Sequence, residues 1–203
     1  MSAVSCSPKL ITLLEAVLQT ALQQARTLNI DDLAQWSEHE LNGYGDFAHF
    51  PDYRIVECKQ FGIFEKAQQS LQHFEQIHDD CLNERDRCRL RYLHIQPALS
   101  QCLNNQEETQ RAWPTLILAN YAEGIIPGYR CVRAWQSYHK PLQERLINGV
   151  LGHLLHLIQL SDCPEQKPLL NEIKQLCEQE NNLRDTWQKL YTDCHAPSTI
   201  QGD

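Results

Sequence analysis

Apolar residues at the start of the chain recur with a helical period. Leu10, Leu13, Leu14, Val17, Leu18, Ala21, Leu22, Ala25 and Leu28 step by three and four, which predicts a helix with one buried stripe. Ser7 followed by Pro8 suits its start, the hydroxyl accepting from free amides and the proline occupying the first turn. Asn29-Ile30-Asp31-Asp32 interrupts the run, and Asp31 is placed to cap a second helix bearing Leu33, Trp36 and Leu41. Asn42-Gly43-Tyr44-Gly45 closes that helix, so the first 45 residues read as a helical hairpin.

The period then changes. Asp46 to Pro51 has none and predicts a loop, whereas Tyr53 to Phe64 alternates imperfectly around Gly62 and predicts one or two short strands. Helical spacing returns from Glu65 to Asp86 through Ala67, Leu71, Phe74, Ile77 and Cys81, and Arg87 to Tyr92 alternates as a strand would. Ile95 to Asn104 can begin a further helix, Trp113-Pro114 opens another through Tyr121, and Ile126-Pro127-Gly128 makes a turn. Lys140-Pro141 begins a long helix in which Leu142, Leu146, Val150, Leu151, Leu154, Leu155 and Ile158 form a wide apolar face, as expected of a central core helix.

Ser161 to Pro164 marks a boundary. Beyond it Leu169, Ile173, Leu176, Glu180, Leu183, Trp187 and Leu190 step alternately by four and three, a heptad seam interrupted only at Glu180. Such a coiled-coil pattern either folds back on its own domain or pairs with another chain. Taken as exposed, Leu169, Ile173, Leu176, Leu183, Trp187 and Leu190 are the expected partner contacts. The expected fold is therefore mainly α, an α-helical core with a small β element. It forms a single domain at 8–161, followed by a C-terminal amphipathic helix at 162–195 and a flexible tail at 196–203.

Composition changes this picture mainly by exclusion. With 26 acidic against 18 basic residues the formal charge is −8, so the average field repels phosphate, and nucleic-acid binding needs a segregated basic patch. The candidates are Arg85, Arg87, Arg89 and Arg91, which would line one side of a strand but scatter around a helix, and Arg130 with Arg133, flanked by Tyr129 and Trp135. Nine cysteines, an odd number without a secretory leader, read as reduced thiols in a cytoplasmic protein. The most apolar stretch, Gly149 to Leu160, is broken by His153, His156 and Gln159, so no membrane span is expected.

Catalytic signals are incomplete. His153 and His156 share a helical face with Cys163 seven residues on, yet no CxxC, HExxH or fourth ligand accompanies them. His73, His78, Asp79, Asp80 and Cys81 gather acid-base chemistry, but a spacing of five spreads the histidines around a helix. Neither GxxxxGK[ST] nor GxGxxG occurs. The expectation is a protein with no catalytic residue, metal or cofactor that acts by binding a macromolecule.

One resemblance is more specific than these patterns. Leu28-Asn29-Ile30-Asp31-Asp32-Leu33 with Trp36, Glu40-Leu41-Asn42-Gly43-Tyr44 and Pro51-Asp52-Tyr53-Arg54 resemble the AbiTii domain of bacterial abortive-infection proteins. Ala112-Trp113-Pro114, Gly128 to Trp135 and the helix Leu142 to Leu160 are similar to its later part, so the resemblance covers about residues 8–161. It departs from the family's arginine-asparagine-arginine pattern, having Glu144-Arg145-Leu146-Ile147-Asn148-Gly149 instead. The resemblance implies a role in antiviral defence and no agreed catalytic site. The expected role is thus a non-enzymatic interaction module, a sensor, regulator or effector subunit. Its partner would be itself, as a homo-oligomer, or another defence protein. The alternatives are a nucleic-acid-binding factor and a metal-dependent hydrolase. Within the matched strings, Trp36, Asn42, Gly43, Tyr44, Pro51 and Tyr53 read as architectural, and Glu40, Asp52 and Arg54 as an ion pair locking the loop or a partner surface.

Overall fold

The computed structural model describes residues 7–46, 48–66, 72–104, 110–138, 142–160, 166–179 and 181–195. These form helices α1 (Pro8–Leu28), α2 (Asp31–Asn42), α3 (Glu84–Arg91), α4 (Leu99–Asn104), α5 (Thr115–Asn120), α6 (Leu142–Leu160), α7 (Gln166–Cys177) and α8 (Asn181–His195). The strands are β1 (Ile55–Glu57), β2 (Lys59–Lys66), β3 (Gln72–Ile77), β4 (Tyr92–His94), β5 (Gln110–Ala112) and β6 (Tyr129–Ser137). Helix predominates, as expected, but the β content is larger than the small element foreseen.

The chain divides into two compact units, each assembled from separate segments. The first comprises Met1–His49, Gln96–Gln106 and Pro141–Asp203, and the second comprises Phe50–Ile95 and Glu107–Lys140. The division cuts across the boundary expected near 161, because everything after Pro141 belongs with the N-terminal hairpin.

The first unit is helical. Ser7 Oγ accepts from the Leu10 amide at 3.1 Å to start α1, and Asn29, left-handed at φ 56°, ends it. Ile30, not Asp31, occupies the cap of α2; Asp31 and Asp32 sit in its first turn, where they complement the helix dipole. Gly43 ends α2 at φ 94°, and the next amide, of Tyr44, donates to Gln96 O at 2.8 Å. α1 packs on α2, α4 and α7, while α6 packs on α2, α4 and α8.

The C-terminal segment corrects one expectation. It is two helices, and the turn between them lies at Glu178 and Gln179, beside the position where Glu180 interrupts the seam; Glu180 itself lies outside the described residues. Leu169, Ile173, Leu183 and Trp187 are buried, and Leu176 and Leu190 half-buried, with Cys177 entering the core instead of Leu176. The apolar stripe thus faces the unit's own helices, α7 packing on α1 and α8 on α6, which takes its apolar surface out of water. The tail expected at 196–203 lies outside the described residues.

The second unit is built on antiparallel sheets, one pairing β1 with β4 and the other ordered β3-β2-β6-β5. Two expectations fail here. Phe74 and Ile77, read as helical, lie in β3, because β2 offers a full antiparallel partner and pairing outweighs weak local propensity. Arg87 to Arg91, read as strand, are helical: Asn83 Oδ1 accepts from the Asp86 amide at 2.8 Å, with acidic residues in the first turn of α3 and basic ones in the last. One sheet face carries the core, in which Phe64, Ile77, Leu82, Leu90, Trp113, Ile117, Cys131 and Ala134 cluster.

Candidate ligand-binding face of the antiparallel sheet

Alternation assigns the other face. Ile63 lies opposite both Phe74 and Arg133, Phe61 opposite Gln76 and Trp135, and Glu65 opposite Gln72 and Arg130. The register shifts between Ile63 and Phe64, leaving Val132 as an extra residue on β6, so that Arg130, Arg133 and Trp135 come to one face while Cys131 and Ala134 both enter the core.

Aromatic rings make a ledge on this face. Phe61 and Phe74 stack with centroids 5.5 Å apart and planes within 11°, and Trp135 lies 5.8 Å from Phe74 and 6.4 Å from Phe61. Trp135 is the floor at 8% exposure, Phe61 is partly covered, and Phe74 stands out at 61%. A lone exposed phenylalanine is ordinary, but one stacked on two supporting rings is held in a fixed orientation with a bare side. The Arg133 guanidinium sits 5.7 Å from the Trp135 ring centroid, a cation–π contact that fixes its charge beside the ledge.

Charge on this face is mixed. Lys59, Arg130 and Arg133 are exposed on it; Arg130 stands opposite two carboxylates, Glu65 on β2 and Glu123 in an isolated bridge, whereas Lys59 and Arg133 stand opposite Ser137 and Ile63, and Glu65 also accepts a hydrogen bond from Gln72 Nε2 at 2.9 Å. His73 and Glu75, paired at 2.6 Å, project to the opposite side.

Of the six arginines singled out in the sequence, only two reach this face. Arg85, Arg87, Arg89 and Arg91 scatter around α3, which packs over the core face, and Arg91 pairs with Glu57 at 2.9 Å. Phe61 and Phe74 are missing from the sequence-based candidates because the local spacing puts Phe74 on a helix, whereas it lies in β3.

Several of the family-like residues make contacts within the fold. Trp36 packs its ring 5.1 Å from His153, Glu40 is fully buried and accepts a 2.7 Å hydrogen bond from Tyr44 Oη, and the buried Arg54 guanidinium donates to Ile95 O at 3.1 Å. Asn42 is exposed at the end of α2, and Pro51 leads into the short helical turn of Asp52, Tyr53 and Arg54.

Cys163 lies outside the described residues, and among the described residues no group of three or more His, Cys, Asp or Glu is arranged to hold a metal. Burial, then the charge of His156, lowers the His153 pKa, with Glu40 opposing. His73 and Cys81 sit on a strand and a turn rather than one helix. Burial pushes the Cys58 thiol up to about 11 and the Cys177 thiol to about 12, and raises Cys131 and Cys81 as well, so these sulfurs stay protonated and poorly nucleophilic. No helix among the described residues is long and apolar enough to cross a membrane.

Nothing among curated proteins or solved structures matches the chain. A family model does, described as AbiTii, and it runs from residue 12 to residue 182, past the end of α6 and through α7. Covering most of the chain, that match shows it to belong to the AbiTii family, associated with abortive-infection defence.

Proposed function

We propose that this chain is a recognition component of an abortive-infection system, a binding protein whose working surface is the β3-β2-β6 face. The observation that carries this reading is the ledge itself: Phe74, 61% exposed, is held rigid by Phe61 and Trp135 with Arg133 alongside. A pre-oriented aromatic ring beside a cation loses little entropy on binding, which is why such side chains dominate recognition surfaces. The engagement of Glu40, Tyr44 and Arg54 in hydrogen bonds within the fold supports binding over catalysis by these groups.

The test is phage challenge of a host carrying the gene in its native context. A Phe74→Ala/Arg133→Ala variant with wild-type circular dichroism should lose protection, whereas Lys189→Ala, at an exposed site on α8, should keep it. Full protection by the double variant would overturn the reading.

A further inference from the structure

We propose that the ligand of this face is single-stranded nucleic acid, two or three bases laid over the ring ledge with phosphates against Lys59 and Arg133. The inference rests on the face being the working surface and names what it takes. A base has an apolar π-face that matches an exposed ring, and it stacks irrespective of sequence. Phe74 on β3 presents such a ring, seated on Phe61 of β2 and Trp135 of β6. Three neighbouring strands span roughly 10 Å, room for two or three unstacked nucleotides.

Charge favours this occupant. The chain carries −8 overall, yet Lys59 and Arg133, exposed on either side of the paired Phe61 and Trp135, stand opposite Ser137 and Ile63 rather than a carboxylate, while Glu65 and Glu123 both lie opposite Arg130. Double-stranded nucleic acid hides its bases and cannot use the ledge. Gln76, half-buried beside Phe61, offers an amide donor and acceptor for a base edge.

The experiment uses the intact chain and fluorescein-labelled 12-nucleotide oligomers, oligo-dT and oligo-U, with a 12-base-pair duplex as comparison, read by anisotropy in 50 mM salt. Both single strands should bind, the tighter arm telling DNA from RNA, with the duplex at least ten-fold weaker. Phe74→Ala should weaken binding roughly ten- to a hundred-fold. Neutralising two phosphates gives a log–log salt slope of about −1.4, an approximately seven-fold loss between 50 and 200 mM. Leu116→Ala removes an apolar side chain, 81% exposed, from α5, which packs on the core face, and should leave binding unchanged.

Absence of binding to either oligomer, or binding indifferent to Phe74→Ala and Arg133→Ala, overturns the proposal. So does a dimer by light scattering that Phe74→Ala dissolves in a protein that binds no oligomer. If the oligomers fail but Phe74→Ala/Arg133→Ala still abolishes phage protection, the nucleic-acid assignment falls and the face remains the working surface. If protection also survives, both fall.

Discussion

Gly43→Ala should be among the most damaging single-methyl changes in the chain. The residue ends α2 at φ 94° and ψ 167°, a region that side chains avoid, and occupying it costs a non-glycine residue roughly 1–3 kcal/mol. The added Cβ would also lie 2.9 Å from Gln96 O and 3.2 Å from Ala98 N, both backbone atoms that cannot swing aside. Tyr44 N–H donates to that same Gln96 oxygen at 2.8 Å, so relieving the clash stretches a hydrogen bond. Overpacking of this kind costs roughly 1–3 kcal/mol, for a total of about 2–6 kcal/mol. Gly45 is the internal control, having no positive φ and no heavy atom within 4 Å of where an added methyl would sit, and Gly45→Ala should be neutral within about 0.5 kcal/mol. In urea unfolding followed by circular dichroism, Gly43→Ala should drop the midpoint by about 1 M or more. Midpoints for the two variants within about 0.3 M of each other would refute the account of this turn.

Two other perturbations probe the helical unit. Trp187, 3% exposed, should cost about 3–5 kcal/mol when changed to alanine, with the light-scattering mass unaltered. A changed mass with unchanged unfolding would restore the seam as an intermolecular contact. For His153, burial and His156 depress the folded-state pKa below the roughly 6.5 of an unfolded imidazole, so the neutral ring's contribution is complete above that pH and is lost as pH falls through the folded value. Wild type should therefore lose more stability than His153→Phe between pH 7.5 and 5.5, and equal losses would contradict the direction of the shift.

Local periodicity makes α1, α2 and α6 readable, since their caps and stripes lie within one segment. β3 is not, because what makes it a strand is Ile63 opposite Phe74, eleven residues away across a connection. β6 is hidden by its own bulge: with Val132 inserted, Cys131 and Ala134 share the core although three apart, and no simple alternation survives. The candidate face is illegible for the same reason, as its rings come from three strands that only pairing brings together. The heptad spacing of Leu169 to Leu190 marks an apolar stripe correctly, but spacing does not say what covers it.

The packing of α7 on α1 sets an order of events during synthesis. α1 leaves the ribosome early, whereas Leu169 and Ile173 follow it by about 150 residues, or roughly 8 to 30 s at ordinary elongation rates. Throughout that interval the side of α1 that α7 covers in the finished protein lies open. Both segments of the second unit emerge before α6 does, so its sheet is able to close while the helical unit is still incomplete. The chain's first helix is thus among the last to be sealed, and the interval before α7 arrives is when a nascent chain is most open to chaperones, proteases or aggregation.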